Sequence, residues 1–465
     1  DCYFTENYTP SFGSALVSYD SSVTLTNCQV HGNHAGGSAV IVIGGSGTLT
    51  DCSITDNTNQ PNYGSSTGVY FETGAAVTVQ RCTFSGNREG YIGGGLYCGN
   101  ACTGTITDCT FTDNSALYGG AAACSFDVSV TFSDCTFEQN ATTSGDGGAL
   151  WLQSSPVTVE DCQIRFNTSM QHGGGLALAG PAVVRNCIIT QNSTGTYGAG
   201  GGILCSSGEA ALITGCQVTA NSAGRGGGVY CGYNAIPWVV DCTISGNHAI
   251  GYGGFGGGFG CEGDGGAPVL IDVALTGNDC LYFGGGFHAT QNVAPLLLGC
   301  TISGNSNEYY GGGVSFGYGV NGVLANCTLA ANSTRYGGGG LAATGSGHSR
   351  VVNCVITNNQ ATERGGGVFI SDDHDLALRN TTIVYNSADE GGGVEFENNN
   401  PAKLIGCVLA GNTATSSGPQ GRYWGSGSLT VSYCNVVGGQ QGFAGWGTLI
   451  WGAGNLAGDP HFVDI

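Results

Sequence analysis

Charge is scarce in this chain of 465 residues: 9% are Asp, Glu, Lys or Arg, and the 11 basic residues comprise ten Arg and the single Lys403. The 32 acidic residues leave a formal net charge of -21, which opposes nucleic-acid phosphates and anionic membrane surfaces. No apolar run approaches the ~18 residues of a membrane span, and no basic segment followed by an apolar one opens the chain. No sustained helical period is present, and no paired CxxC spacing with a following His argues for zinc.

What is abundant is repetition. The segments "DCSITDN" (51 to 57), "RCTFSGN" (81 to 87), "DCTFTDN" (108 to 114), "DCTISGN" (241 to 247), "GCTISGN" (299 to 305) and "NCVITNN" (353 to 359) are near-copies. Taking the cysteine as phase marker, 17 positions run from Cys2 to Cys434 at a mean spacing of 27 residues, with Val273 and Thr381 standing in at two of them. Asp1 falls one residue before the first marker, so a mature or trimmed chain that starts inside a unit is expected. A uniform period over the whole length predicts one solenoid, 1–465, with 413–465 as last coil and C-terminal cap bearing Trp424, Trp446 and Trp451.

Within a unit such as "DVSVTFSDCTFEQN" (127 to 140), apolar and polar residues alternate at period two, and Thr, Val, Ile and Phe are frequent, which is the pattern of short strands. A second strand follows a glycine run, as in "GGGLYC" (93 to 98) and "GGGVFI" (365 to 370). Strands and turns in about 27 residues predict an all-β fold, a single right-handed parallel β-helix of about 17 coils in which equivalent residues stack at ~4.8 Å. Fifteen of the 22 cysteines hold the phase position, and Cys98, Cys124, Cys205, Cys231 and Cys261 hold a strand position filled elsewhere by Leu152, Leu178, Phe316, Ile370 or Phe396. Exchange with Leu, Ile and Phe marks packed core thiols; Cys102 and Cys280 fall outside the scheme, and a local Cys98–Cys102 bridge is the alternative for that pair.

The Asn of each unit forms a second ladder, from Asn7 to Asn412, read as corners in the left-handed conformation tied by side-chain amides. Asn140, Asn167, Asn192 and Asn332 also fall in N-x-S/T sequons, which the ladder generates as a by-product. The glycines, such as Gly256 to Gly258, are read as tight turns in close contact with neighbouring backbone.

The apolar residue, two spacers and Asn of "FSGN", "FTDN" and "FEQN", followed by "GGG" or "GGA" and an aliphatic residue, resembles the polymorphic outer-membrane protein repeats of autotransporter adhesins. The resemblance implies a right-handed β-helix displayed outside the cell. Most units depart from it by carrying Ile, Val or Leu in place of Phe, and no membrane barrel follows. The tail "GDPHFVDI" (458 to 465) is similar to the ending of secreted parallel β-helix proteins of the pectate-lyase-like superfamily.

Chemistry is thinly marked, and no catalytic residue is assigned. A polysaccharide lyase needs a base near bound Ca²⁺ and a glycoside hydrolase needs two carboxylates in one cleft. A glycosidase of this coil is expected to show NTD, DD and GHG segments on successive units, but the pair Asp372 and Asp373 has no NTD or GHG segment with it, and His348 stands without a carboxylate beside it. No cofactor is required, but "SDDHD" (371 to 375) offers Asp372, Asp373 and Asp375 as candidate Ca²⁺ ligands, with Glu397 one unit on and a solvated loop as the alternative. Glu262 and Asp264 are a weaker case. The candidate ligand-binding surface is aromatic. Tyr70, Tyr97, Trp151 and Tyr230 occupy the middle of the strand after the glycines and are expected to point outward, while Tyr118, Tyr252, Phe255, Phe283, Tyr309, Tyr310 and Tyr336 precede the glycines. His172 and His288, on the same side, read as surface residues.

These observations predict an extracellular or cell-surface protein with a structural, adhesive or filament-forming role. A polysaccharide or cell-surface glycan is the expected partner, and end-to-end self-association is a further expectation. The alternative is a lyase or hydrolase acting on acidic polysaccharide.

Overall fold

In a computed structural model of the protein, which describes residues 1–10, 13–59, 66–206, 208, 210–251, 253–397, 399 and 401–462, each unit turns on left-handed residues. The residue before the phase cysteine has positive φ at Asp51 (53°), Asp108 (54°), Asp241 (52°) and Asn326 (55°), a conformation that Asp, Asn and Gly reach most readily. A three-residue strand follows, such as Thr243–Ser245, whose middle residue alone is buried. A second left-handed residue, Gly246 in that unit (59°), ends the strand one position before the ladder Asn. The ladder asparagines themselves stay out of the left-handed region, which corrects the expectation drawn from the sequence. Their job is different: backbone N–H and side-chain amide of Asn332 both donate to Asn359 Oδ1 at 2.9 Å, and the amide donates again to Ile302 O at 2.9 Å.

The rest of a coil is shown by the unit that starts at Cys242. A two-residue strand, His248–Ala249, follows the Asn, and Phe259–Glu262 and Val269–Ile271 follow the glycines. All paired strands that carry a register run parallel, and the chain makes a β-solenoid of about 16 turns of about 27 residues, the interval bounded by 17 phase positions. Among the described residues there is no α-helix, only a 3-10 turn at Gly439–Gly442.

The described chain divides into two compact units, Asp1–Gly224 with Gly228–Tyr230, and Arg225–Gly227 with Cys231–Ile465. In the first, Phe84, Phe111 and Phe137 are in register, fully buried, and stack with ring centroids 4.6 and 4.8 Å apart. In the second, Ile302, Leu329, Ile356, Ile383 and Leu409 make the equivalent buried column. Burial of such columns, at about 25 cal/mol per Å² of apolar surface, is the main stabilising contribution.

All 22 cysteines are free thiols, Cys102 and Cys280 included, and 21 are buried, Cys2 being the exposed one. A phase thiol turns to nearby carbonyls, as Cys109 Sγ does toward Thr107 O at 3.1 Å. The glycine run does what its composition suggested. Gly256 is left-handed (φ 62°), and a Cβ on Gly258 would stand 2.7 Å from Gly286 O and 2.9 Å from Asn278 Nδ2. Near the C-terminus, Gly421–Ser432 pairs with Phe443–Trp451 and sets exposed Trp424 against exposed Trp446, 4.5 Å apart.

Candidate functional site

The middle residue of the strand after the glycines does point away from the core, but it is not open to solvent. Tyr97 is 4% exposed, with its hydroxyl 2.8 Å from Ser125 Oγ, and Tyr70, Trp151 and Tyr230 are half-buried. The reason lies in the segment just before the glycines, which folds back over this face. Ile92 and Tyr118, in that segment, pack with Tyr70, Tyr97, Ala123 and Trp151 into an apolar cluster outside the main core. Period-two alternation tells which side of a sheet a residue takes; it is silent on what covers that side.

In the first unit this cover leaves a surface recess of about 380 Å³ lined by Tyr91, Tyr118, Asp146, Trp151 and Gln153 among others. Tyr118 and Trp151 lie 5.3 Å apart with tilted rings, and Tyr91, 43% exposed, meets Tyr118 edge-on at 6.1 Å. Asp146 Oδ1 accepts the backbone N–H of His172 at 3.0 Å, and His172 Nδ1 in turn accepts that of Ala199 at 3.0 Å. Burial raises the Asp146 carboxyl above its ordinary range, with His172 working in the opposite direction. The recess therefore joins flat apolar rings to a carboxyl and an amide, groups that orient a polar ligand in an otherwise apolar pocket. Trp151 was legible in sequence as a binding candidate; Asp146, Tyr91 and Gln153 were not. Aligning units on the glycine run supplies the missing signal, because Asp146 then takes the place of Tyr118, one coil on.

The aromatic residues of the second unit pack on one another. Phe255 is buried beneath Arg225, whose guanidinium lies 5.8 Å from its ring. Phe283 stacks on Tyr310 at 6.1 Å, and Tyr309 on Tyr336 at 5.0 Å; Phe283, Tyr310 and Tyr336 are half-buried. Tyr252 lies outside the described residues, as do the last three residues of the C-terminal motif, 463–465. His172 is half-buried, and His288, expected at the surface, is 4% exposed because Phe255 and Phe283 cover it.

The family model described as "Right handed beta helix region" matches residues 1–164, 128–278 and 257–436. The chain belongs to that right-handed β-helix family. Compared with curated proteins, it has no match.

In this β-helix the side chains of the acidic loop make separate contacts. Asp372 and Asp373 are exposed turn residues with φ of 53° and 62°, Ser371 Oγ donates to Asp372 at 3.1 Å, and Asp375 faces His348 at 3.2 Å. That last contact corrects the reading of His348 as lacking a carboxylate: the two are in register one coil apart. Glu397 pairs with Arg364, Glu262 with Arg225 at 2.9 Å, and Asp264 accepts Asn292 Nδ2 at 2.6 Å. Among the described residues no group of three or more His, Cys, Asp or Glu is placed to hold a metal ion. Nor is any helix there long and apolar enough to cross a membrane.

The ladder asparagines of the sequons are also committed. Asn140, Asn167, Asn192 and Asn332 are fully buried, and each amide nitrogen already donates along the ladder. A glycan on any of them would break the corner.

Proposed function

We propose that the protein is an extracellular or cell-surface β-helix of structural or adhesive role, which holds polysaccharide or cell-surface glycan at the Trp151 recess. The observation that carries this reading is the pairing of the Tyr118 and Trp151 rings with Asp146 and Gln153 in one open recess. Aromatic faces accept the apolar side of a sugar ring, while a carboxyl and an amide each bond its hydroxyls. One carboxyl lines the recess, where a glycoside hydrolase needs two, so the reading is retention without cleavage. The FxxN and glycine-run resemblance to autotransporter adhesin repeats supports display outside the cell, and the net charge of -21 favours neutral over acidic glycans.

Affinity electrophoresis through gels containing neutral or acidic polysaccharides tests this. Retardation of the wild-type chain by a neutral glycan should fall at least tenfold in Trp151→Ala, with an unchanged far-ultraviolet dichroism spectrum. Equal retardation of both proteins, or release of reducing or unsaturated ends from any glycan, would overturn it.

A further inference from the structure

A second recess, in the Arg225–Gly227 and Cys231–Ile465 unit, has different chemistry. It measures about 430 Å³ and is lined by Phe255, Phe283, His288, Thr290, Tyr318 and Thr344 together with glycines. Its origin is visible in the register. His288 occupies the covered, outward position of its strand, and its neighbours one coil away are Gly260 and Ser315, too small to fill the space that an imidazole and two phenyl rings prop open. The Phe255 and Phe283 centroids lie 4.6 and 5.7 Å from that of His288.

His288 is 4% exposed, and its Nδ1 has no hydrogen-bond partner among the described residues. Such orphaned buried nitrogens are rare in folded proteins and ask for a partner. Burial lowers the ring to about 3 from 6.5, so it is a neutral imidazole with one donor and one acceptor at physiological pH. No charged side chain lines the recess, which disfavours a charged ligand. Nor does it have the carboxyl and amide of the Trp151 recess, which suit a ligand with many hydroxyls. Aromatic walls with a neutral imidazole and a few hydroxyls match a flat apolar ring carrying one polar group.

We propose that this recess binds a neutral phenolic ring, its face against the aromatic walls and its hydroxyl hydrogen-bonded to His288. A free phenol and a tyrosyl side chain share this chemistry. Ligand-observed NMR titration of the full chain with p-cresol, N-acetyltyrosinamide, toluene and methyl α-glucopyranoside tests it. Saturable p-cresol binding is expected, with toluene at least tenfold weaker and the glucoside silent; N-acetyltyrosinamide binding alongside p-cresol identifies a tyrosyl side chain, and its failure identifies a free phenol. His288→Phe keeps a ring of similar size and should reduce p-cresol binding to the toluene level. Phe283→Leu, at a half-buried wall, provides a second variant and should also weaken p-cresol at least tenfold. Equal binding of p-cresol and toluene, unchanged p-cresol binding in either folded variant, or binding of the glucoside instead would overturn the proposal.

Discussion

Arg422 reaches one coil back to Glu395, its Nη1 2.6 Å from Glu395 Oε1 and 2.7 Å from Glu390 Oε2. Glu395 is fully buried and stands in the covered outward ladder, between Phe369 and Arg422 in register. Desolvation offsets much of the Coulomb gain of a charge pair in such a place. Its other carboxylate oxygen has no partner among the described residues.

The pair makes stability depend on pH in an unusual direction. Burial pushes the Glu395 carboxyl up from 4.5 to about 7, against the hydrogen bond and charge of Arg422. The folded protein therefore keeps a proton that the unfolded chain gives up between pH 4.5 and 7. The contribution is fully present below pH 4.5 and is lost as pH rises through 7. Urea midpoints measured from pH 4 to 8 should show this descent in the wild type and not in Glu395→Gln. Arg422→Met takes away the buried hydrogen-bond donor of Glu395 and should cost roughly 1–3 kcal/mol at neutral pH; without the guanidinium the carboxyl keeps its proton further, which carries the descent to higher pH.

Much of the fold could be read from the chain because stacking makes a solenoid spell itself out once per coil. The phase cysteines, the ladder asparagines and the glycine run each mark a fixed corner, and the core column from Ile302 to Leu409 follows from alternation alone. The site was less legible for a physical reason. Tyr97 and His288 point outward, as alternation says, yet they are buried because residues just before the glycines lie over them, and sheet periodicity carries no information on that second layer. Contacts between coils were hidden as well. Arg165 meets Glu138 at 3.1 Å and Arg81 meets Asp51 at 2.7 Å, pairs separated by a full unit in sequence and visible only when units are aligned.

Thiol accessibility gives a direct count. With one exposed cysteine among 22, the native protein should react with about one equivalent of a polar disulfide reagent, at Cys2. After denaturation without reductant, all 22 should react. Buried thiolates are disfavoured by desolvation, so the native reaction should stop at Cys2 rather than creep along the ladder. A denatured count well below the total would show that bridges join coils and would contradict the free-thiol core.

The asparagine ladder can be probed at Asn332, a fully buried residue with neighbours of the same kind on both sides. Asn332→Ala removes the amide that donates to Ile302 O and to Asn359 Oδ1, which keeps only the backbone N–H of residue 332, and it takes from Asn305 N–H and Nδ2 the oxygen to which both donate. At roughly 1–3 kcal/mol for a buried polar group left unpaired, a lowered urea midpoint is expected. For the same reason, expression in a host that glycosylates secreted chains should add no mass at Asn140, Asn167, Asn192 or Asn332 in folded protein. A glycopeptide from any of the four in soluble, folded material would contradict the ladder.

Two glycines separate conformational strain from close approach. Gly277 is left-handed at φ 59° with no atom within 4 Å of an added Cβ, and Ala220 and Ala331 hold the equivalent corners of other units at φ 53°. Gly277→Ala should therefore cost only the strain of a left-handed residue, roughly 1–2 kcal/mol. Gly258 is different: its Cβ would press on Gly286 O and on Asn278 Nδ2, the latter an amide that donates to Asn305 Oδ1 at 3.0 Å. Relief requires backbone movement in a stacked coil or a broken ladder bond, so Gly258→Ala should cost about 3 kcal/mol or more. Equal urea midpoints for the two variants would mean that the glycine run is kept for its turn alone, and not for the contact between coils.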